Sequence, residues 1–399
     1  MRDRMPFKPR RNSKTGTLLA IAITLSIVAL GVYRLEYVPN QIPPAKKANV
    51  NSVVNNPSLV EGKYLFSGTI VLSRDVARYA GSDYNQPFSN LYTLGNYDAR
   101  IGVLECPVTN NVDTFQNEVQ NLVFNCQPAW LPTLKEYFPI LDLSSDHLND
   151  YGPEGISTTF QELDSAGFQT VGTYNPASLS DDCKAIVFPV HLIYYSGKSI
   201  SSSLPIAVCS YNYKEIFSPQ PGQLESIQKW SKLMPVIALF NHGLEYQLTA
   251  NAQTVAIAHK MIDYGADFVI GNGTHWVGNT EVYKGKLIVY SMGNFIFDQI
   301  IYNGRLGFNL SVAISIKYSQ NVKNWLNLSG VCLAHPESCL YFAENEKLTK
   351  IQPSYQFDAI GSYGGDGLVT TKANSSQQVD IEQIANWQNT LKQLNTVSN

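Results

Sequence analysis

Short apolar segments alternate with helical patterns along most of the chain, and this alternation constrains the fold more than any other feature. The helical patterns over Gly152 to Gly167 and Asn251 to Gly265 each end at a glycine and each precede a strand-like segment. The order predicts an α/β fold in which helices cover a largely buried sheet. The strand-like segments are KYLFSGTIVLS, ARIGVLEC, FPILDLSS, AIVFPVHLIYY, LPIAVCSY, MPVIALFN, ADFVIGNG and KLIVYSM.

Length and composition fit a protein with a substantial core. The chain has 399 residues, of which 44% are apolar and 15% charged, and this balance excludes wholesale disorder. We expect the main domain over 63–350 and a C-terminal extension over 351–399, where Val379 to Leu394 has a helical pattern. Residues 34–62 are rich in Asn, Pro and Lys without a sustained period, which predicts a linker.

The amino-terminal segment has the pattern of a membrane anchor. Residues 1–16 carry six Lys or Arg and one Asp, and Thr17 to Tyr33 contains no charged residue. We expect an uncleaved transmembrane helix over 17–33, with residues 1–16 as a cytoplasmic tail. The alternative is a cleaved signal peptide, because Ala29-Leu30-Gly31 is an acceptable small-residue site. Either interpretation predicts that the main domain lies outside the cytoplasm, and the first predicts attachment to the cell membrane.

The charge balance limits the classes of ligand. The net charge is −3, and because the first sixteen residues carry +5, the remainder carries −8. A mildly acidic domain argues against binding of nucleic acid and against a general electrostatic attraction for a polyanion. Any anionic ligand must therefore be held by local groups.

The six cysteines predict disulfides, because the count is even and the chain is expected to be exported. Their spacings match no zinc-binding pattern. Pairing between sequence neighbours closes short loops and is our expectation: Cys106 with Cys126, Cys183 with Cys209 and Cys332 with Cys339. The alternative is that some are buried free thiols.

Several polar clusters lie at the carboxyl ends of predicted strands, where open α/β sheets build their sites. Imidazole and carboxylate side chains bind zinc, manganese or iron, and such ions activate water and stabilise phosphoryl or acyl oxygens. These residue types in this position predict a binding or catalytic site. The clusters are Gly68-Thr69, Glu105, Ser145-Asp146-His147, Asn241-His242-Gly243 and Thr274-His275.

Two of the segments that contain these clusters resemble the CapA family of bacterial capsule and poly-γ-glutamate synthesis proteins. The first runs from Ser144 to Gly172, and the second from Phe240 to Gln299, including the sequence YSMGNFIFDQ. The resemblance extends over about Leu65 to Gln299. It implies a metallophosphatase-like fold, a four-layer α/β/β/α sandwich, and a role in the synthesis or export of a cell-envelope polymer.

The resemblance also shows where the metal positions of the family are altered. Thr69 stands where the family has Asp, Asp146 where it has Asn, and Asn241 and Gly273 where it has His. The family residues at Glu105 and His275 are kept, and His242 lies one place after the expected histidine.

The residues that remain imply a reduced metal site. The ligands that the resemblance implies are Glu105, Asp146, His242 and His275, which would hold one Mn, Zn or Fe ion or none. His147 is expected to be the catalytic general acid, and Arg74, Asn241 and Asn294 are expected to contact the substrate.

Two functions of different class follow from this pattern. One is a membrane-anchored protein that binds or guides an envelope polymer, or works with its synthesis or export machinery, without catalysis. The other is an active metal-dependent hydrolase or transferase that acts on a phosphoester or amide bond at the outer membrane face.

Overall fold

The computed structural model describes residues 56–112, 114–174, 183–214 and 218–397. The tail predicted over 1–16, the anchor predicted over 17–33 and most of the linker predicted over 34–62 lie outside these ranges. Within them, no helix has the length and the apolar character needed to cross a bilayer. The end of the predicted linker is part of the first strand, which begins at Pro57.

The described residues form a mixed sheet flanked by helices. The strands are β1 Pro57–Ile70, β2 Ala99–Leu104, β3 Ile140–Asp142, β4 Gln169–Val171, β5 Cys183–Tyr194, β6 Ser199–Asn212, β7 Val236–Asn241, β8 Phe268–Asn272, β9 Thr280–Tyr283, β10 Lys286–Val289, β11 Asn294–Ile296, β12 Leu306–Lys317, β13 Ser354–Gly364 and β14 Thr370–Lys372. The helices are α1 Arg74–Ala80, α2 Phe115–Gln120, α3 Leu131–Tyr137, α4 Gly152–Ser165, α5 Glu225–Ser231, α6 Ala252–Asp263, α7 Tyr302–Arg305, α8 Gln320–Ala334, α9 Cys339–Asn345, α10 Ser375–Ala385 and α11 Trp387–Val397.

Strand β1 is the branch point of the sheet. Its first part pairs antiparallel with β12 on one side and with β5 on the other. Its second part, from Tyr64 onward, pairs in parallel with β2, which continues through β3 to β4. The main path runs β14-β13-β12-β1-β5-β6-β7-β8-β10-β9. Strands β6, β7 and β8 are parallel neighbours, so their carboxyl ends meet at one edge.

Alternation along β2 shows that both of its faces are buried. Ile101 and Val103 belong to a hydrophobic cluster that includes side chains of β5 to β8. Leu104 belongs to a second cluster, together with Leu134 of α3 and Leu163 of α4. A strand with apolar residues on both faces lies between two packed layers, here other strands on one side and helices on the other.

The two helices predicted from glycine stops are present, and each has a local cause. In α4, Pro153 occupies the first turn, and Gly167 follows the helix with a φ of +75°. In α6, the side chain of Asn251 accepts a hydrogen bond from the backbone N–H of Thr254 and caps the first turn. These helices lead into β4 and β8, which confirms the predicted order.

Residues 351–399, which were expected to form an extension, contribute a strand to the main sheet. Residues 354–364 form β13, which pairs along its length with β12 and so belongs to the same sheet. The single helix expected over Val379 to Leu394 is divided into α10 and α11. Asn386 separates them because it adopts the left-handed conformation, with a φ of +52°, that ends a helix.

The cysteine pairing predicted from the sequence is confirmed. Cys106 is bonded to Cys126, Cys183 to Cys209, and Cys332 to Cys339. The second bridge joins residues that lie directly opposite each other on β5 and β6. The first lies beside the polar edge of the sheet, because Cys106 follows Glu105.

Candidate functional site

Polar side chains converge where β1, β2, β7 and β8 end. Asn212, Asn241 and Asn272 are the last residues of β6, β7 and β8, and they are paired in register across the three strands. All three are buried. The parallel pairing therefore places a row of amide side chains along the edge where the sequence predicts a site.

Glu105 lies at the end of a buried hydrogen-bond chain. The Thr69 hydroxyl donates to Glu105 Oε2 over 3.0 Å, and Asn272 Nδ2 donates to Thr69 Oγ1 over 2.7 Å. The Glu105 side chain is 2% exposed, and this burial raises its pKa, although the nearby His275 opposes the rise. Thr69, at the position where the resemblance implies an Asp ligand, thus donates its hydroxyl to the Glu105 carboxylate.

The tautomer of His275 follows from its neighbours. The Nδ2 group of Asn294 donates to the Gly304 carbonyl over 3.1 Å, so Asn294 Oδ1 is the atom that faces His275 Nδ1, also at 3.1 Å. Nδ1 must then carry the proton. In the neutral tautomer Nε2 is therefore the acceptor or ligand atom, and it lies 3.6 Å from Glu105 Oε1.

The backbone around His275 is held in an uncommon conformation. His275 has a φ of +61°, and Gly273, two residues earlier, has a φ of +101°. Tyr246, whose ring centre lies 6.0 Å from that of His275, also has a positive φ of +60°. Such residues persist where the surrounding structure fixes them, and they are concentrated at functional sites.

Asp146 and His147 lie on a short 3₁₀ turn, Asp146–Asn149, that follows β3. Asn241 Nδ2 donates to Asp146 Oδ1 over 3.1 Å, and His147 Nδ1 lies 2.9 Å from Asp150 Oδ2. Burial by itself lowers the pKa of His147. The hydrogen bond to Asp150 and the charge of Glu105 outweigh burial, so the pKa of His147 is raised above its ordinary value. A histidine with a raised pKa is suited to donate a proton.

Arg74 borders the same region from the start of α1. Its Nε lies 2.9 Å from Asp298 Oδ2, and its guanidinium carbon lies 4.9 Å from the centre of the Phe124 ring. The side chain is 19% exposed. Arg74 is therefore held by contacts on more than one side while part of it still reaches solvent.

His242 contacts a different element. Its Nδ1 is 2.9 Å from Thr254 Oγ1 of α6, and its pKa is lowered to about 4 by burial and, to a smaller extent, by the charge of Lys214. The part of the chain that the structure describes holds no group of three or more His, Cys, Asp and Glu side chains placed around one metal position. The predicted ligands Glu105 and His275 are neighbours, whereas His242 faces Thr254.

The arrangement does not fit a two-metal centre. Asn241 presents its N–H group to Asp146, whereas a metal ligand would present a lone pair in that direction. The retained carboxylate, Glu105, accepts a hydrogen bond from the Thr69 hydroxyl. Gly273 has no side chain to offer, and its φ of +101° is one that histidine rarely adopts.

Three residues of the site were missed in the sequence. Asn272 is the last residue of β8 and pairs with Asn241, a relationship that depends on strand register. Asp150 follows His147 by three residues, a spacing that brings both to one side of a turn and that the sequence does display. Phe124 stacks on His147 with ring centres 4.0 Å apart, and no local pattern indicates this contact.

Comparison with known proteins gives a consistent result. The family model described as bacterial capsule synthesis protein PGA_cap matches residues 63–299. The chain is 27% identical over 258 residues to the capsule biosynthesis protein CapA of Bacillus anthracis, which covers 58% of this chain and 59% of that protein. It is 28% identical over 254 residues to the PGA biosynthesis protein CapA of Bacillus subtilis, which covers 59% of this chain and 63% of that protein.

Two further similarities are weaker. A probable polyglutamine synthesis accessory protein of Mycobacterium tuberculosis is 23% identical over 233 residues, which covers 54% of this chain and 60% of that protein. The chain thus spans between 59% and 63% of the length of these three curated relatives. The crystal structure of TT1561 of Thermus thermophilus aligns with 62% of this chain and 93% of that chain at 11% identity, with a TM-score of 0.30, too low to establish a common fold.

Proposed function

The chain belongs to the bacterial capsule synthesis protein family PGA_cap, the CapA family, and from this membership we propose that it binds a cell-envelope polymer during synthesis or export. The proposed ligand is poly-γ-glutamate or a related anionic polymer. The proposed binding region, called the cleft below, is the polar edge at the carboxyl ends of β1, β2, β7 and β8, where the side chains of Arg74 and His147 reach solvent. We propose that the cleft binds its ligand without a metal centre.

One observation carries this proposal. Two side chains at the altered positions donate hydrogen bonds to the carboxylates of the site: Asn241 to Asp146 at 3.1 Å, and Thr69 to Glu105 at 3.0 Å. A metal ion that bound either carboxylate would have to compete with these hydrogen bonds. Positive charge for an anionic ligand comes from Arg74 and from His147, whose pKa is raised.

We also propose the architecture and location that the family resemblance implies. The two buried faces of β2, one against strands and one against helices, support a metallophosphatase-like α/β/β/α sandwich over 63–350. The basic tail and uncharged run at the amino terminus support a single-pass anchor, with the described domain outside the cytoplasm.

The test is polymer binding measured with and without a chelator. We expect the purified exported domain to bind poly-γ-glutamate with a dissociation constant that EDTA leaves unchanged, and to retain no stoichiometric metal after dialysis. Arg74→Gln should weaken binding, because it removes the local positive charge. As a matched control, Arg305→Gln removes an arginine that contacts the Ile300 carbonyl and lies 3.7 Å from Asp366. Chelator-sensitive binding, or equal binding by the two variants, would contradict the proposal.

A second candidate is a hydrolase or transferase in which one ion of Mn, Zn or Fe supplies an activated water. His275 favours it, because its Nε2 is an acceptor atom 3.6 Å from Glu105 Oε1. Glu105 and His275 would hold the ion, with Asp146 as a third ligand only if it released Asn241. His147, supported by Asp150, would donate a proton to the leaving group.

This candidate makes a distinct pair of predictions. Glu105→Ala or His275→Ala should abolish metal retention, whereas His147→Ala should keep the metal and lose turnover of a phosphodiester or amide substrate. Absence of stoichiometric metal together with absence of turnover by the unmodified protein would rule it out.

A further inference from the structure

The segment between Cys106 and Cys126 is closed by a disulfide and lies against the candidate cleft. Cys106 directly follows Glu105 in the chain. At the other end, the backbone N–H of Cys126 donates to the Pro107 carbonyl over 2.8 Å, and the backbone N–H of Leu72 lies 3.1 Å from Cys126 Sγ. Both ends of the segment are therefore fixed beside the carboxyl ends of β1 and β2.

Phe124, near the end of this segment, contacts two candidate site residues at once. Its ring lies 4.0 Å from the His147 ring at an interplanar angle of 26°, and the Arg74 guanidinium carbon lies 4.9 Å from its centre. Its backbone N–H donates over 2.7 Å to Asp150 Oδ2, the atom that also contacts His147 Nδ1. Phe124 thus contacts the His147 ring, the Arg74 guanidinium group and the Asp150 carboxylate that pairs with His147.

Arg74 is held by the same segment and by two residues that directly follow β11. Its backbone N–H donates to Glu118 Oε1 over 2.9 Å, which helps to hold its φ of +54°. Phe297 lies 5.8 Å from the guanidinium carbon, and Asp298 pairs with Nε. No hydrogen bond from Nη1 or Nη2 to a residue in the described ranges accompanies that ion pair.

We propose that Phe124 is a positioning residue of the cleft, which holds the Arg74 guanidinium and the His147 ring in place to receive a carboxylate group of the polymer. The Cys106–Cys126 disulfide fixes Phe124 in turn. An aromatic face beside a guanidinium group restricts its orientation and leaves its edge for a planar anion. This inference rests on the proposed function, because it assigns a ligand group to the same cleft.

Three variants of the full-length protein separate positioning from packing. Phe124→Leu keeps an apolar side chain but removes the ring, and Phe124→Tyr restores the ring. The matched control is Phe88→Leu, since Phe88 is also buried in the same hydrophobic cluster and stacks on Tyr137 at 5.2 Å. Each protein is measured for binding of a poly-γ-glutamate oligomer and for the proton NMR resonance of the His147 ring, which the Phe124 ring current displaces. The His147→Gln variant identifies that resonance.

We expect Phe124→Leu to weaken binding on the order of tenfold and to move the His147 resonance. Phe124→Tyr should preserve both properties, and Phe88→Leu should change neither. An unmoved resonance in Phe124→Leu, or equal losses in Phe124→Leu and Phe88→Leu, would overturn the positioning role. If the unmodified protein does not bind the oligomer, the proposed function fails, while the resonance still decides whether Phe124 holds His147.

The disulfide is tested in the same way. The double variant Cys106→Ser with Cys126→Ser should move the His147 resonance and weaken binding in the same direction as Phe124→Leu. The double variant Cys332→Ser with Cys339→Ser, which removes a bridge between α8 and α9, should leave both unchanged. The same response to both double variants would contradict a specific role for the first bridge.

Discussion

Asn241 donates a hydrogen bond of 3.1 Å to Asp146, so the two residues are joined across the carboxyl ends of β7 and β3. The resemblance to the CapA family implies histidine at the position of Asn241 and asparagine at that of Asp146. The Asp146 carboxylate and the Asn241 amide are therefore hydrogen-bonded to each other. Because Asp146 accepts from Asn241 and Glu105 accepts from Thr69, each carboxylate of the site has a partner of its own.

Replacement of this amide by a second carboxylate should make the fold depend on cations. Asn241→Asp would place two carboxylates at hydrogen-bond distance, and like charges at that distance repel unless a proton or cation lies between them. We expect the melting temperature of Asn241→Asp to fall and to recover when Mg²⁺ or Mn²⁺ is added. The control is Asn212→Asp on β6, whose side chain contacts the backbone of Tyr174 and Lys214. An equal cation response in both variants would contradict this explanation.

The turn at Gly273 should not tolerate a side chain. Gly273 has a φ of +101°, and a Cβ atom there would overlap Asn241 Oδ1. We expect Gly273→Ala to lower the free energy of unfolding by about 2–4 kcal/mol, from strain and overlap together. Gly197→Ala is the matched control, because Gly197 has a φ of +81° with no atom within 4 Å of the added Cβ, and only the strain of about 1 kcal/mol should remain. Chemical denaturation of both variants measures the difference, and equal losses would contradict the overlap.

The sequence predicted those helices and strands whose formation depends on a few consecutive residues. The glycine stops after α4 and α6 are properties of a few consecutive residues, and they predicted where both helices end. Strands such as β7 and β8 were visible because they are buried on both faces and read as continuous apolar runs. Strand β13 was missed because it alternates buried and exposed residues only weakly and pairs with β12, from which a long helical segment separates it.

The site was predictable as a location but only partly as a set of contacts. Its residues follow strands, which indicated the correct edge of the sheet for Glu105 and His275. Whether His242 faces them depends on a one-residue step after β7, and the structure directs it to Thr254. The contact between Phe124 and His147 joins segments that are distant in the sequence, so no local periodicity encodes it.

The three disulfides should leave no free thiol. Titration of the unfolded, unreduced protein should find no reactive thiol, because all six cysteines are paired. Replacement of Cys106 and Cys126 by serine should cost on the order of 3 kcal/mol, since the bridge restricts a chain segment of moderate length in the unfolded state. Urea denaturation measures the loss. Two or more reactive thiols per chain would contradict complete pairing.

The anchor predicted over 17–33 is open to a topology experiment. We expect protease added to intact cells to remove the domain and to spare the short basic tail, because positive flanks stay in the cytoplasm. A variant that lacks residues 17–33 should remain in the cytoplasm and be protected. The alternative of a cleaved signal predicts instead a released domain that begins after Gly31, and amino-terminal sequencing of the mature protein distinguishes the two.

His242 should make the stability of the fold sensitive to acid. Its pKa is lowered from an ordinary value of 6.5 to about 4 in the folded protein, because burial disfavours the charged ring. Between these two values the unfolded chain binds the proton and the folded chain does not, so the free energy of unfolding falls as the pH drops through this range. The loss should approach about 3 kcal/mol near the lower value.

The matched variant is His242→Gln, which keeps a polar side chain beside Thr254 but cannot titrate. We expect the wild type to lose more stability than this variant when urea denaturation is compared at about pH 7 and about pH 4. Carboxylates elsewhere contribute equally to both proteins, so they cancel in the difference. Parallel losses in the two proteins would mean that His242 can be protonated within the fold, and would contradict its placement as a buried neutral ring.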